Sequence, residues 1–498
     1  GDDTFTLNFT PSSPFTLNTG AGNDRVAVRA TVGQTTLNLG SGDDLVAVGS
    51  QAGLWETNTL NGRRPSFEPA PDASEFINYL GNVNAINGSV LVKGGQGLDR
   101  VMIDETGETG GNTGNLTGSS LTGFGAAGAI IYNNKDAVEF LDTVEFPDTV
   151  EFLDIALGSG DDVLRVASTD DALFTRIEGR GGNDTFNIES TSSATNIFGD
   201  SEFGSVMVGF RTFDVAPGDD LFRVGSFASD AGNRVQSALG LIDGRLRLFG
   251  GGTNDAQAVT NTNGQDGDEI IFYNGGGGSG NGVLEGVLES SQFRGYGMDA
   301  GVAYTNIQSI TLRLADARDT LFVAGTHTGK TEILGGDEVG PGDIINIGAI
   351  SGPTIINGGN GDDVIRVNYD QNEIQTFASG VASSLTLKGQ NGSDIYEIGL
   401  AGLATATVDI IDDAGASDTG IDRVGIFGND DDNLFLFRAN QVADRGVVAS
   451  YEVDDNLLPV DGGFIERVNY YGDIENIEVG GRGGNDTFVF DDTLSGIT

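Results

Sequence analysis

What this chain lacks narrows its chemistry before any motif is considered. It contains no cysteine, so neither disulfides nor thiolate metal sites are available to it. A single histidine, His327, leaves little room for imidazole catalysis or a histidine-rich metal centre. Only four lysines occur (Lys93, Lys135, Lys330 and Lys388), and 73 acidic residues face 26 basic ones, for a net charge of −47. Binding to nucleic acid needs clustered Lys and Arg against phosphate, so it is disfavoured. No run approaches the roughly 20 apolar residues of a membrane-spanning helix. Proline is scarce at 10 of 498 residues, and the one tryptophan is Trp55. The absence of cysteine fits an exported bacterial protein at or beyond the cell surface.

What is abundant is glycine, 79 residues, together with 28 phenylalanines in a chain that is 38% hydrophobic. That is too apolar and too patterned for disorder, so the glycines belong to turns. They fall in one recurring phrase, Gly-x-Gly-(Asn/Asp)-Asp followed by alternating apolar residues. It reads GAGNDRVAV at 20–28, GSGDDLVAV at 40–48, GSGDDVLRV at 158–166, GRGGNDTFNI at 179–188, GGNGDDVIRV at 358–367 and GGRGGNDTFVF at 480–490. Looser copies stand at 217–224, 341–347 and 389–398. A turn followed by alternating residues at a near-fixed step is the mark of a stacked repeat.

The last Asp of each phrase serves as a marker: Asp3, Asp24, Asp44, Asp99, Asp162, Asp184, Asp220, Asp268, Asp319, Asp343, Asp363, Asp394, Asp422 and Asp486. Steps of 20–24 residues recur among them, and longer gaps hold insertions. The expected fold is all-β, a right-handed parallel β-solenoid of about 20–22 residues per coil. Val26 should stack on Val46, Phe186 on Leu164 and Ile365 on Ile345, with Asp24 between Asp3 and Asp44 and Asp162 beside Asp184.

A larger period overlies this one. Asp3, Asp162, Asp319 and Asp486 lie 159, 157 and 167 residues apart, and their flanks match. The reading is one continuous solenoid of three super-repeats: 1–160 with an insertion at 49–89, then 161–317, then 318–484, with 485–498 opening another. The chain begins within a repeat, at Gly1-Asp2-Asp3-Thr4-Phe5, as an excerpt of a longer polypeptide would. Residues 49–89 carry Trp55, Arg63-Arg64 and three prolines, a composition suited to a surface flap or a partner contact. Val-Glu-Phe occurs three times between 135 and 155, starting at Val138, Val144 and Val150.

Stacked turns also stack carboxylates, which repel one another in a partly dry groove. A hard cation bridging them would relieve this, and Ca²⁺ suits flexible, all-oxygen ligation. Gly358-Gly359-Asn360-Gly361-Asp362-Asp363-Val364-Ile365-Arg366 resembles the nonapeptide of calcium-binding, hemolysin-type β-roll repeats, as does Gly94 through Met102. The resemblance implies calcium ligation by Asp363 and Asp99, and at less complete copies by Asp24, Asp44, Asp162, Asp184, Asp394 and Asp486. That family repeats its nonapeptide back to back, whereas here one phrase occurs per twenty or so residues. The longer unit is similar to the tandem repeats of very large bacterial surface and matrix proteins. The alternative for every marker is plain turn chemistry, with Asp and Asn bonding local backbone.

The functional expectation is an extracellular structural protein and not an enzyme: an acidic, calcium-stabilised rod or filament of a surface layer, sheath or adhesin stalk. Self-association end to end or laterally follows from uncapped β-stacks. The runner-up is a β-helical polysaccharide lyase or polysaccharide-binding module. A lyase would need a base against an acidic sugar, and His327 reads as a solvated loop tip. A binding module could present residues 49–89, or Tyr132, Tyr296, Tyr304, Tyr470 and Tyr471, to a glycan or surface partner. The bland reading of the tyrosines is that they recur because the super-repeat does.

Overall fold

The computed structural model describes residues 1–498 except 54–79, 134–149, 201–204, 209–210, 215–217, 252–266, 277–283, 377–380, 401–405, 412–419, 441–443, 454–464, 472–473 and 493–498. Trp55, Arg63, Arg64, Val138 and Val144 lie outside the described residues. The described residues are all-β, with no α-helix among them. The strands form large, open, mostly parallel sheets. The chain divides into two compact units, one of Gly1–Ala231, Leu241–Ile270 and Asp299–Ile307, the other of Gly232–Gly240, Ile271–Met298 and Gln308–Thr498.

In the first unit each repeat contributes one strand before its glycine turn and one after it. The strands after the turn, Thr4–Leu7, Arg25–Val28, Leu45–Val48 and Arg100–Asp104, pair in parallel in chain order. Those before it, Phe15–Ala21, Thr35–Ser41 and Val90–Gln96, do the same. Alternation then decides the faces. Val26 opposes Val46 and Val46 opposes Val101 on the inner face, and all three are fully buried. Leu164 likewise opposes Phe186, so the expected stacks are present. A single parallel bridge, such as Thr31 to Ile86 or Thr191 to Ile242, adds a third contact between repeats. The 49–89 insertion leaves the register intact, since Leu45 pairs directly with Arg100. Its described ends are tied down: Gly81 donates its N–H to Asp104 Oδ2 at 3.0 Å.

The two sets of strands then exchange roles. Arg100–Asp104, which follows a turn, pairs with Phe152–Ala156, which precedes one. On the other side, Val90–Gln96 pairs with Ala126–Ile131. That strand runs antiparallel to Ser120–Gly123, which runs antiparallel to Thr113–Leu116, which is parallel to Val163–Val166. A three-stranded meander thus hands a set of before-turn strands over to after-turn strands.

The second unit repeats the device. Ile345 opposes Ile365, as the periodicity predicts. Arg423–Phe427 continues into Asn476–Gly480, while Ile465–Tyr471, Arg445–Glu452 and Asn433–Asn440 form the meander that leads to Thr487–Phe490.

The meanders explain why aromatic residues recur in the long period. Phe124 lies over Gly114, whose absent Cβ would fall 1.9 Å from the ring, and Tyr296 covers Gly286 at 2.1 Å. An aromatic ring over a strand glycine restores packing that glycine itself cannot supply. Both rings are buried. Gly114→Ala should therefore destabilise by about 1–3 kcal/mol through overpacking, measured by urea unfolding. An unchanged midpoint would show that the ring has room to move.

Candidate functional site: two counter-running ladders at the turn

The marker aspartates other than Asp319 are placed by the same local event. A strand ends in glycines that reach positive φ, as Gly40 and Gly42 do at 98° and 129°, and the chain turns within a few residues. The marker then leads into the next paired segment; the markers from Asp24 to Asp422 are buried, whereas Asp3 is exposed and Asp486 half-buried.

What each side chain meets there is the backbone of the neighbouring repeat. The amide of Asp3 donates to Asp24 Oδ1 at 2.7 Å, that of Asp24 to Asp44 Oδ1 at 2.7 Å, and that of Asp44 to Asp99 Oδ1 at 3.0 Å. Asp99 donates to Glu151 Oε2 at 2.7 Å, which ends the series. A second series in the first unit starts at Asn112, whose amide donates to Asp162 Oδ1, and continues from Asp162 to Asp184, Asp184 to Asp220 and Asp220 to Asp268, all within 2.7–2.9 Å. In the second unit the order is Asp319, Asp343, Asp363, Asp394, Asp422 and Glu475, at 2.6–2.8 Å. Asn433 to Asp486, at 3.1 Å, begins another. Asp319 keeps its place although its preceding glycines are lost, because the Ala315 amide at 2.9 Å serves its Oδ2.

The residue before the marker runs a second ladder in the opposite direction. Asn23 donates its amide to Asp2 Oδ1, Asp43 to Asn23 Oδ1, and Leu98 to Asp43 Oδ1, at 2.9–3.0 Å. The same contact joins Asn183 to Asp161, Asp219 to Asn183, and Ser393 to Asp362. These groups are exposed, and any short acceptor serves. The sequence accordingly places Asp, Asn or Ser there in most repeats, with Leu98, Gly267, Arg318, Gly342 and Ile421 as departures, while the inner place stays Asp.

The inner carboxyls pay for their position in desolvation. Burial pushes Asp44 up to about 6, Asp363 to about 7, Asp99 and Asp394 to about 8, and Asp184 to about 9, with neighbouring aspartates adding to the rise and the accepted amide opposing it. Oδ2 of Asp24, Asp44, Asp99, Asp184, Asp220, Asp363 and Asp394 is buried and meets no hydrogen-bond donor among the described residues. In several repeats it rests against glycine. A Cβ on Gly358 would lie 2.1 Å from Asp363 Oδ2, and one on Gly389 1.9 Å from Asp394 Oδ2.

Calcium requires six to eight oxygens at about 2.3–2.6 Å. Among the described residues no three Asp, Glu or His side chains gather so as to hold a metal ion. Oδ1 of the markers other than Asp3 and Asp319 is taken by an amide, and marker carbonyls such as those of Asp24 and Asp162 accept from the next strand. The donor set at these turns does not fit a calcium ion. Of the eight aspartates expected to bind metal, Asp24, Asp44 and Asp99 share one row, Asp162 and Asp184 another, and Asp363 and Asp394 a third, while Asp486 pairs with Asn433. Sequence reasoning missed Glu151 and Glu475, which close two rows. Their signal was a Glu directly ahead of the Phe152–Ala156 and Asn476–Gly480 strands, near the ends of the first and third super-repeats.

His327 is not the solvated loop tip expected from its Gly-Thr-His-Thr-Gly context. It is buried, with Nδ1 3.3 Å from Thr331 Oγ1, and burial lowers its pKa. Tyr132, Tyr296, Tyr304 and Tyr470 are core residues as well. Compared with family models and with curated proteins, the chain matches none.

Asp363→Ala should cost about 1–3 kcal/mol by leaving the buried Asp343 amide unpaired, whereas Asp362→Ala on the exposed ladder should hardly move the urea midpoint. Equal effects would mean the two ladders do not differ. Because Asp44 and Asp184 are raised above the 3.8 of an ordinary aspartate, the stability that their protonation gives is full below about pH 4 and is lost as pH rises, by about 6 for Asp44 and by about 9 for Asp184. A thermal midpoint that climbs over that range would contradict it.

Proposed function

We propose that this chain is a structural segment, a right-handed parallel β-solenoid built from repeats of about 20–22 residues, serving as a rigid acidic rod or filament at the bacterial cell surface. The observation that carries this reading is the repetition of the turn chemistry. The inner carboxyl, its accepted amide and the outer acceptor recur at turn after turn in both units, across sequence steps from 20 to 55 residues. Chemistry distributed evenly along a chain supports holding it together rather than turning over a substrate at one place. The row passes unbroken from Asp44 to Asp99 across the 49–89 insertion, whose composition suits contact with a glycan or surface partner.

Calcium, implied by the β-roll resemblance, has its place in this reading at the surface. Asp2, Asp161, Asp362 and Asp432 are exposed there, and cations screen a net charge of −47. The lyase reading gains nothing from His327, which is packed against Thr331. Electron microscopy over a range of Ca²⁺ concentrations tests the assembly. Filaments or lateral bundles are expected, and compact, monodisperse particles under all conditions would overturn it.

A further inference from the structure

The misfit between the resemblance and the turn geometry has a chemical resolution. A row of buried carboxyls without counter-charge must be relieved by a cation, by a paired base or by protons. Asp184 shows the choice most clearly. Its Oδ1 accepts the Asp162 amide at 2.8 Å, and its own amide donates to Asp220 Oδ1 at 2.8 Å. Its Oδ2 is buried without a donor among the described residues, and a Cβ on Gly179 would lie 2.2 Å away. The charged groups that bear on it are Asp161 and Asp162 from the preceding turn, Asp200 from the adjoining strand, and Asp220 from the next turn. All are acidic.

Asp363 and Asp394 repeat the arrangement in the second unit. Each has one oxygen on a neighbouring amide and the other buried against glycine.

We infer that Asp184, Asp363 and Asp394 work as neutral acids: Oδ1 clamps the backbone of the neighbouring repeat, Oδ2 carries a proton, and these corners hold without a metal ion. The proton is the ligand that the enclosed Oδ2 has room for. Burial raises the affinity for it, and the neighbouring acids raise it further. This goes beyond the structural role proposed above, which would stand with either a cation or a proton in the corner.

Hydrogen exchange of the Asp162 amide in the full chain, corrected for intrinsic rate, tests it in wild type, Asp184→Asn and Asp184→Ala, with and without EGTA. With Asp184 raised to about 9, wild-type protection should fall about tenfold between pH 8 and pH 10. Asparagine keeps the Oδ1 acceptor and is neutral at every pH, so Asp184→Asn should retain the pH 7 protection and show no such fall. Asp184→Ala should lose protection throughout, and EGTA should change none of these values. The inference is overturned by loss of protection with EGTA in wild type. It is equally overturned if Asp184→Asn behaves like Asp184→Ala or fails to fold, or if the wild-type amide is insensitive to pH.

Discussion

A hydrogen bond from a backbone amide in one repeat to a buried carboxyl oxygen in the next is the contact on which the rest of this structure depends. Parallel strands pair only where their register is held, and the glycine turn is where the register is most easily lost. Each Asp Oδ1 fixes that point, so the following strand starts opposite its partner. Arg25 meets Leu45, and Leu45 meets Arg100, 55 positions further along the chain. Burial makes the contact strict. A buried amide without an acceptor is costly, and an acceptor one methylene too short or too long misses it. Where Arg100–Asp104 and Arg423–Phe427 hand over to a strand of the other kind, the acceptor is a glutamate, Glu151 or Glu475. A longer side chain reaches across the altered geometry there.

The outer ladder complements the inner one. Because its donors and acceptors run the opposite way, two adjacent residues bind each turn to the repeats on either side of it. Asn23 reaches back to Asp2 through its amide and forward to Asp43 through its side chain. Asp24 reaches back through its side chain to Asp3 and forward through its amide to Asp44. This division of labour explains the composition of the phrase, with a variable and mostly polar residue outside and an acid inside.

Much of this could be read from the sequence. The alternation after each marker identified the inner face correctly at Val26 and Val46, Leu164 and Phe186, and Ile345 and Ile365, because period-two patterning reports burial directly. The adjacency of Asp24 to Asp3 and Asp44 followed from the step alone. The exchange of roles at the meander was hidden. Leu121-Thr122-Gly123-Phe124-Gly125 and Asn469-Tyr470-Tyr471 were visible as repeated flanks, but strand order is a long-range property that local pattern does not encode. The placement of His327 was misjudged for a similar reason. Its glycine and threonine neighbours are those of an exposed turn, yet the neighbouring repeat closes over the ring. The chemistry of the corner was ambiguous in principle, since a calcium ligand and a backbone clamp both call for aspartate beside glycine. Only the position of each oxygen distinguishes them.

The serial character of the inner ladder bears on how such a chain can change over generations. Each amide needs only an aspartate at the start of whichever repeat comes next, and the strands tolerate 20, 36 or 55 residues between one acceptor and the following one. A gene encoding this pattern can therefore gain or lose a whole turn-and-strand module, or acquire a foreign segment between modules, and still yield a continuous row. Recombination between near-identical phrases, ordinarily a hazard to a folded protein, becomes a means of adjusting length.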